Sequence, residues 1–88
     1  MKLVNIGSGN MVAAERVVSI LTPDSAPIKR IIQDAKEQGV LIDATVGRKT
    51  KTVLITDSHH VILCYLSYEK LAARISDFNV TFEEEDNE

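Results

Sequence analysis

Several residue types that often build functional sites are scarce in this 88-residue chain, which has one cysteine, two prolines and no tryptophan. A single cysteine excludes an internal disulfide framework and the zinc motifs that need paired cysteines. Cys64 lies among apolar residues, so we expect a buried, unreactive thiol. No apolar run approaches the roughly 20 residues of a membrane-spanning helix, and no signal peptide is evident. These absences favour a cytoplasmic protein with no membrane partner.

A strong excess of one charge is also missing. The formal net charge is −3, but five of the thirteen acidic residues lie within positions 83–88. Residues 1–82 therefore carry ten cations against eight acids, a balance of +2. This balance is far from the strongly basic composition of a monomeric DNA-binding domain. A nucleic-acid-binding function would require cations that are concentrated on one face or repeated by oligomerisation.

The sequence contains no recognisable catalytic or metal-binding constellation. A Gly-Ser-Gly run at 7–9 lacks the third glycine of a dinucleotide-binding fingerprint, because Val12 occupies that place, and no Walker lysine follows. A tight turn between strands explains these glycines. The only histidines are His59 and His60, and neighbours on a strand point to opposite faces, so we interpret them as part of a polar turn. We therefore expect no enzyme, no cofactor and no metal ion.

Apolar spacing predicts both helices and strands. The clearest element is a helix over 26–38, with isoleucines along one face, a cap at Asp24 or Ser25 and a stop at Gly39. A short second helix should follow a cap at Ser67. Strands are predicted at 2–6, 11–13, 16–21, 40–46, 52–57 and 60–66, with an edge strand at 77–82.

A basic cluster at 47–51 lies between two of these predicted strands. Arg48, Lys49 and Lys51 fall within four residues, beside a glycine. A short glycine-containing connection predicts a hairpin with these cations at or beside its tip. The cluster is either a solubilising turn or a finger that binds phosphate oxygens. Arg16 leaves the same choice open, between a surface cation that is hydrated or paired with its neighbour and a second phosphate contact.

Together these elements predict a single α+β domain over residues 1–76. It should contain a small, mainly antiparallel sheet, one principal helix and a short C-terminal helix. Residues 77–88 are expected to form an acidic, mobile tail. Either this tail serves solubility only, or it weakly inhibits the binding of a polyanion by competing for the basic cluster.

Three motifs are typical of one known family: Asn5-Ile6-Gly7-x-Gly9-Asn10, Ser25-Ala26-Pro27-Ile28-Lys29-Arg30 and Leu41-Ile42-Asp43-Ala44-Thr45-x-Gly47-Arg48. Over about residues 2–75 the chain resembles the extracellular matrix regulatory proteins, small bacterial DNA-binding regulators of biofilm matrix genes. The resemblance implies a LytTR-like fold that assembles into a ring-shaped homo-oligomer, an octamer. It also implies a transcriptional regulator that binds double-stranded DNA at the nucleoid.

The resemblance assigns roles to individual residues as well. The family contacts DNA through an arginine ahead of the main helix and a basic pair in the hairpin, and these positions are Arg16, Arg48 and Lys49 here. The basic cluster adds Lys51 as a further DNA-binding candidate. Lysine at 49 and 51, where the family usually has arginine, keeps the charge but loses the two-pronged geometry. The alternative is a ring-forming interaction module that binds RNA or an acidic protein.

Overall fold

The computed structural model describes residues 1–76 of the chain. This part forms two sheets and two α-helices, which confirms the predicted α+β class. The strands are β1 (Leu3–Gly7), β2 (Asn10–Ala13), β3 (Val17–Leu21), β4 (Leu41–Asp43), β5 (Thr52–Thr56) and β6 (Val61–Cys64), and the helices are α1 (Ala26–Gln38) and α2 (Tyr68–Ile75). A short 3-10 turn, Ala14–Arg16, joins β2 to β3. The predicted edge strand at 77–82 and the acidic tail lie outside the described residues.

The hairpin of β1 and β2 is antiparallel, with Leu3 opposite Ala13. Its turn is the Gly-Ser-Gly run, and all three residues have a positive φ, which glycine adopts without steric cost. Two asparagine side chains hold the turn. Asn5 Oδ1 accepts a hydrogen bond from the Gly7 amide at 2.7 Å, and Asn10 Nδ2 donates one to Gly7 O at 3.1 Å. The prediction of a tight turn between strands is confirmed.

The larger sheet has four strands in the order β3-β5-β6-β4. The central strand β5 is antiparallel to both β3 and β6, whereas β4 runs parallel to β6 at the edge. The sheet is therefore mainly antiparallel, as predicted. The predicted hairpin between 40–46 and 52–57 is wrong, because β4 and β5 are not neighbours. Residues 44–51, called the basic loop from here on, instead connect the edge strand β4 to β5 across the position of β6.

A turn at Asp43 explains why β4 stops early. The Asp43 carboxylate accepts hydrogen bonds from the Thr45 amide at 2.9 Å and from the Thr45 hydroxyl at 2.6 Å. These bonds also hold the pKa of Asp43 below its usual range. Leu41 lies opposite Val61 and packs with the apolar residues of α1. Burial under the helix thus favours the parallel pairing of β4 with β6, which the local sequence does not signal.

Both faces of the four-stranded sheet are covered. One face packs against α1, which contributes buried Ala35 and half-buried Ile28, Ile31 and Ile32. The other face packs against the β1–β2 hairpin and α2, with a core of Val4, Ile6, Ala44, Leu54, Ile62, Cys64 and Leu71. The prediction of a buried cysteine is confirmed, and burial raises the pKa of the Cys64 thiol to about 11.

Both helices begin where the sequence predicts. Ser25 caps α1, and Gly39 ends it in a left-handed conformation with a φ of 75°. Ser67 caps α2, because its Oγ accepts a hydrogen bond from the Lys70 amide at 3.2 Å. Within residues 1–76, no helix has the length and apolar character needed to cross a membrane.

Candidate functional site

The basic loop is held at both ends by backbone hydrogen bonds. At its start, the Arg48 amide donates to Thr45 O at 2.9 Å and closes a turn. The two central residues of this turn, Val46 and Gly47, have φ values of 47° and 84°. A β-branched residue rarely adopts a positive φ, so the turn is strained at Val46. At its end, the Lys51 amide donates to the carbonyl of Cys64, also at 2.9 Å, which fixes the loop beside the end of β6.

Tyr65 connects this loop to the β1–β2 hairpin. The guanidinium carbon of Arg48 lies 4.7 Å from the centre of the Tyr65 ring, a cation–π contact. The Tyr65 hydroxyl lies 2.9 Å from Ser8 Oγ, within hydrogen-bond distance. A Cβ atom at Gly7 would lie only 2.8 Å from the ring, so a side chain at this position would displace it. The glycine turn and the basic loop therefore meet at one aromatic side chain.

A cleft of about 270 Å³ opens between the basic loop and the start of α2. Four cationic side chains line it, together with one aromatic, one apolar and one hydroxyl residue. The lining residues are Arg48, Lys49, Lys51, Tyr65, Leu66, Ser67 and Lys70. Among residues 1–76 this lining includes no carboxylate, so the four positive charges together attract anions. The structure thus brings Arg48, Lys49 and Lys51 together, as the sequence predicts.

Two residues of the cleft, Tyr65 and Lys70, were not predicted from the sequence. A long-range hydrogen bond brings them to the loop: the hydroxyl of Thr52, the first residue of β5, donates to Leu66 O at 2.7 Å. This bond ties the segment that enters α2 to the residue that follows Lys51. A tyrosine at the end of a strand is a weak signal, and nothing in the local sequence marks Lys70.

Arg16 lies elsewhere on the surface. It ends the 3-10 turn before β3, and its Nε is 3.1 Å from Asp57 Oδ1 in an exposed ion pair. Its backbone carbonyl accepts a hydrogen bond from the Asp57 amide at 2.9 Å, beyond the far end of β5. The length of β5, Thr52–Thr56, puts at least about 13 Å between Arg16 and the cleft, since a strand rises about 3.3 Å per residue. Arg16 is therefore not part of the cleft.

The other polar candidates have structural partners. His60 Nδ1 lies 2.8 Å from Ser58 Oγ within the turn between β5 and β6, as expected for a polar turn. In the described part of the chain, no three His, Cys, Asp or Glu side chains are close enough to hold a metal ion. On the described surface, the cleft with its four cations is suited to the binding of anions.

The fold and the cleft define a small α+β protein with an anion-attracting surface. Residues 3–75 match the RemA-like family, described as extracellular matrix regulatory protein A-like, and the chain belongs to this family. The family resemblance predicted from the three motifs is therefore confirmed.

Relatives from several bacteria carry the name "Putative regulatory protein". The relative from Geobacillus thermodenitrificans is 61% identical over 75 residues, which cover 85% of this chain and 86% of the relative. The one from Caldicellulosiruptor saccharolyticus is 56% identical over 85 residues, covering 97% and 84%. The one from Clostridium beijerinckii is 54% identical over 88 residues, covering 100% and 98%. The family and these relatives are named for regulation and not for catalysis.

Proposed function

We propose that this protein is a DNA-binding transcriptional regulator that acts as a closed ring of identical subunits. The observation that carries the proposal is the cluster of Arg48, Lys49, Lys51 and Lys70 around one cleft without a carboxylate in its lining. Such a cluster suits the phosphate backbone of DNA, which supplies a large share of the affinity in protein–DNA complexes. The family description supports genes of the extracellular matrix as targets.

A ring accounts for DNA binding by a chain with little net charge. Residues 1–76 contain ten cations and seven acids, so one subunit attracts DNA only weakly. Repeating the cleft around a ring links many weak contacts, and linked contacts give an avidity that no single site has. Within residues 1–76, β3 and β4 form the edges of the four-stranded sheet, and these edges are where subunits could contact each other. The family resemblance implies a LytTR-like domain and a ring of eight subunits.

Binding in this proposal depends on phosphates more than on bases. Lysine at 49 and 51 offers a positive charge but lacks the guanidinium with which arginine donates two hydrogen bonds to guanine. In this proposal the phosphate contacts therefore position the protein, and the ease with which DNA bends around the ring selects the sequence. Arg16 would meet the same duplex at least about four base pairs from the cleft, given about 3.4 Å per base pair. Its ion pair with Asp57 weakens this contribution.

Fluorescence anisotropy with a labelled duplex tests the proposal. We expect Arg48→Ala to weaken binding roughly tenfold or more and Arg16→Ala to weaken it less. Lys36→Ala is the matched control, because Lys36 is an exposed cation on α1, which covers the other face of the sheet. It should leave the affinity within about twofold of the wild type. Equal affinities of the wild type and the Arg48→Ala protein would reject the assignment.

Competition separates this function from the alternative, a ring-forming module that binds RNA or an acidic protein. Unlabelled duplex DNA should displace the labelled duplex, whereas single-stranded RNA of the same length and a polyglutamate peptide should do so poorly. RNA that competes better than DNA would favour the alternative. The Tyr65 ring is the feature of the cleft on which an unstacked base could pack.

A further inference from the structure

We infer that α2 forms the second wall of a phosphate-binding site, in which Lys70 and Lys51 hold one phosphate group from opposite sides of the cleft. The inference rests on the proposed function and deepens it, because it adds to the basic loop a residue and an element that no motif assigns. The two lysines line the same cleft, one from the loop and one from the first turn of α2.

The two walls of this site are held in a fixed relation. The hydrogen bond from Thr52 to Leu66 joins them, and Thr52 is fully buried. On the α2 side, Ser67 caps the helix through the Lys70 amide, and the next residue, Leu71, is fully buried in the core. The backbone that carries Lys70 is therefore fixed, and only the flexible stem of its side chain must be ordered when an anion binds.

The chemistry of the lining suits consecutive phosphates of one DNA strand or a multiply charged phosphate anion. Four cations surround the cleft, more than one singly charged group could neutralise. Arg48 lies on the Tyr65 ring, and a guanidinium stacked on a ring keeps its N–H edge available for phosphate oxygens. The start of α2 adds the positive end of the helix dipole on the same side of the cleft. These charges suit a phosphate diester of DNA or a free phosphate anion.

Lys70→Gln tests the inference, with Lys36→Gln as the control at an exposed position on α1. In the full-length chain, Lys70→Gln should weaken duplex binding three- to tenfold, as much as Lys51→Gln, and Lys36→Gln should leave it unchanged. Far-UV circular dichroism should show that all three variants are folded. An unchanged duplex affinity in Lys70→Gln, while Arg48→Ala loses affinity, would overturn the inference and leave the proposed function standing.

A second measurement uses inorganic pyrophosphate and separates free phosphate from DNA. Pyrophosphate titrated into the labelled wild-type protein should shift the amide signals of Ser67 and Lys70 in NMR spectra, and Lys70→Gln should lose these shifts. If duplex binding fails for the wild type but these shifts occur, the proposed function fails and the phosphate site stands for a soluble ligand. If neither duplex nor pyrophosphate depends on Lys70, the site does not exist.

Discussion

At the scale of single residues, Gly7 is the position where an added side chain would disturb both the backbone conformation and the geometry of the candidate site. Its φ of 123° favours glycine, and a Cβ there would lie 2.8 Å from the Tyr65 ring. Gly9 also has a positive φ, 81°, but open space surrounds its Cβ position. The two glycines of the turn therefore separate the effect of conformation from that of contact with the ring.

We predict that Gly7→Ala destabilises the protein by about 2 kcal/mol or more, because backbone strain and displacement of Tyr65 act together. Gly9→Ala carries only the strain and should destabilise it by about 1 kcal/mol. Urea unfolding curves give both values. Gly7→Ala should also weaken DNA binding, since the ring that supports Arg48 moves. Equal destabilisation by the two variants would contradict a close contact between Gly7 and Tyr65.

Cys64 makes a prediction about pH. The folded state raises the pKa of its thiol from the ordinary 9.0 to about 11, because burial disfavours the thiolate. Between these values the unfolded chain has lost the proton and the folded chain has kept it. The contribution of Cys64 to stability is therefore complete below pH 9 and is lost as pH rises towards about 11. Urea unfolding from pH 8 to 10.5 should show a steeper decline for the wild type than for Cys64→Ala.

At the scale of elements, the sequence predicts what is encoded locally and misses what depends on distant pairing. The prediction of a helix over 26–38 is correct at both ends, because a serine cap, a proline and a terminal glycine lie within this segment or directly beside it. The basic loop was predicted as a hairpin, because no local signal shows that β4 pairs with β6 and not with β5.

The candidate site shows the same difference between residues that are close in sequence and residues that only the fold brings together. Arg48, Lys49 and Lys51 are consecutive enough in sequence that any compact loop keeps them together. Lys70 joins them only because the chain returns through β6 into α2 and because Thr52 holds Leu66. The family resemblance places Arg16 with the loop cations as a DNA contact, but the direction of β3 puts it beyond the opposite end of β5.

Thr52→Val tests the bond that joins the two walls of the cleft. Valine has nearly the same shape but cannot donate to the Leu66 carbonyl, so a half-buried acceptor loses this partner. We expect a loss of about 1–3 kcal/mol in the free energy of unfolding, measured in urea. Thr22→Val is the control, because Thr22 is exposed, and it should change stability by less than about 0.5 kcal/mol. A loss no greater than that of the control would contradict a structural role for this bond.

At the scale of the whole molecule, apolar side chains remain uncovered in one subunit. Leu3, Met11, Val18 and Ile42 are between 45% and 61% exposed. Val18 lies on the edge strand β3 and Ile42 on the edge strand β4. Exposed apolar residues on the edge strands of the part that the structure describes favour association, so we predict that the native mass is a multiple of the 9.7 kDa chain.

Light scattering at micromolar concentration measures this mass directly. Val18→Lys should lower it, because charged side chains on an edge strand oppose pairing between strands. Lys36→Gln should leave the mass unchanged, since it alters a polar side chain on an α1 surface. A monomeric mass for the wild type would reject the assembly and, with it, the ring in the proposed function.

The salt dependence of DNA binding distinguishes contact by one subunit from contact by several. Five candidate cations per subunit, Arg16, Arg48, Lys49, Lys51 and Lys70, could neutralise at most five phosphates. At about −0.9 per phosphate, one subunit would give a slope of about −4.5 in a plot of log affinity against log salt concentration. We predict a steeper slope for the wild type, because clefts on neighbouring subunits meet the same bent duplex.

Affinities measured between 50 and 300 mM salt, at about neutral pH, give the slope. Arg48→Ala should make it shallower by about 0.9 for every subunit in contact, so the change counts the subunits that bind. An Arg48→Ala change of only about 0.9 would mean that a single subunit holds the DNA.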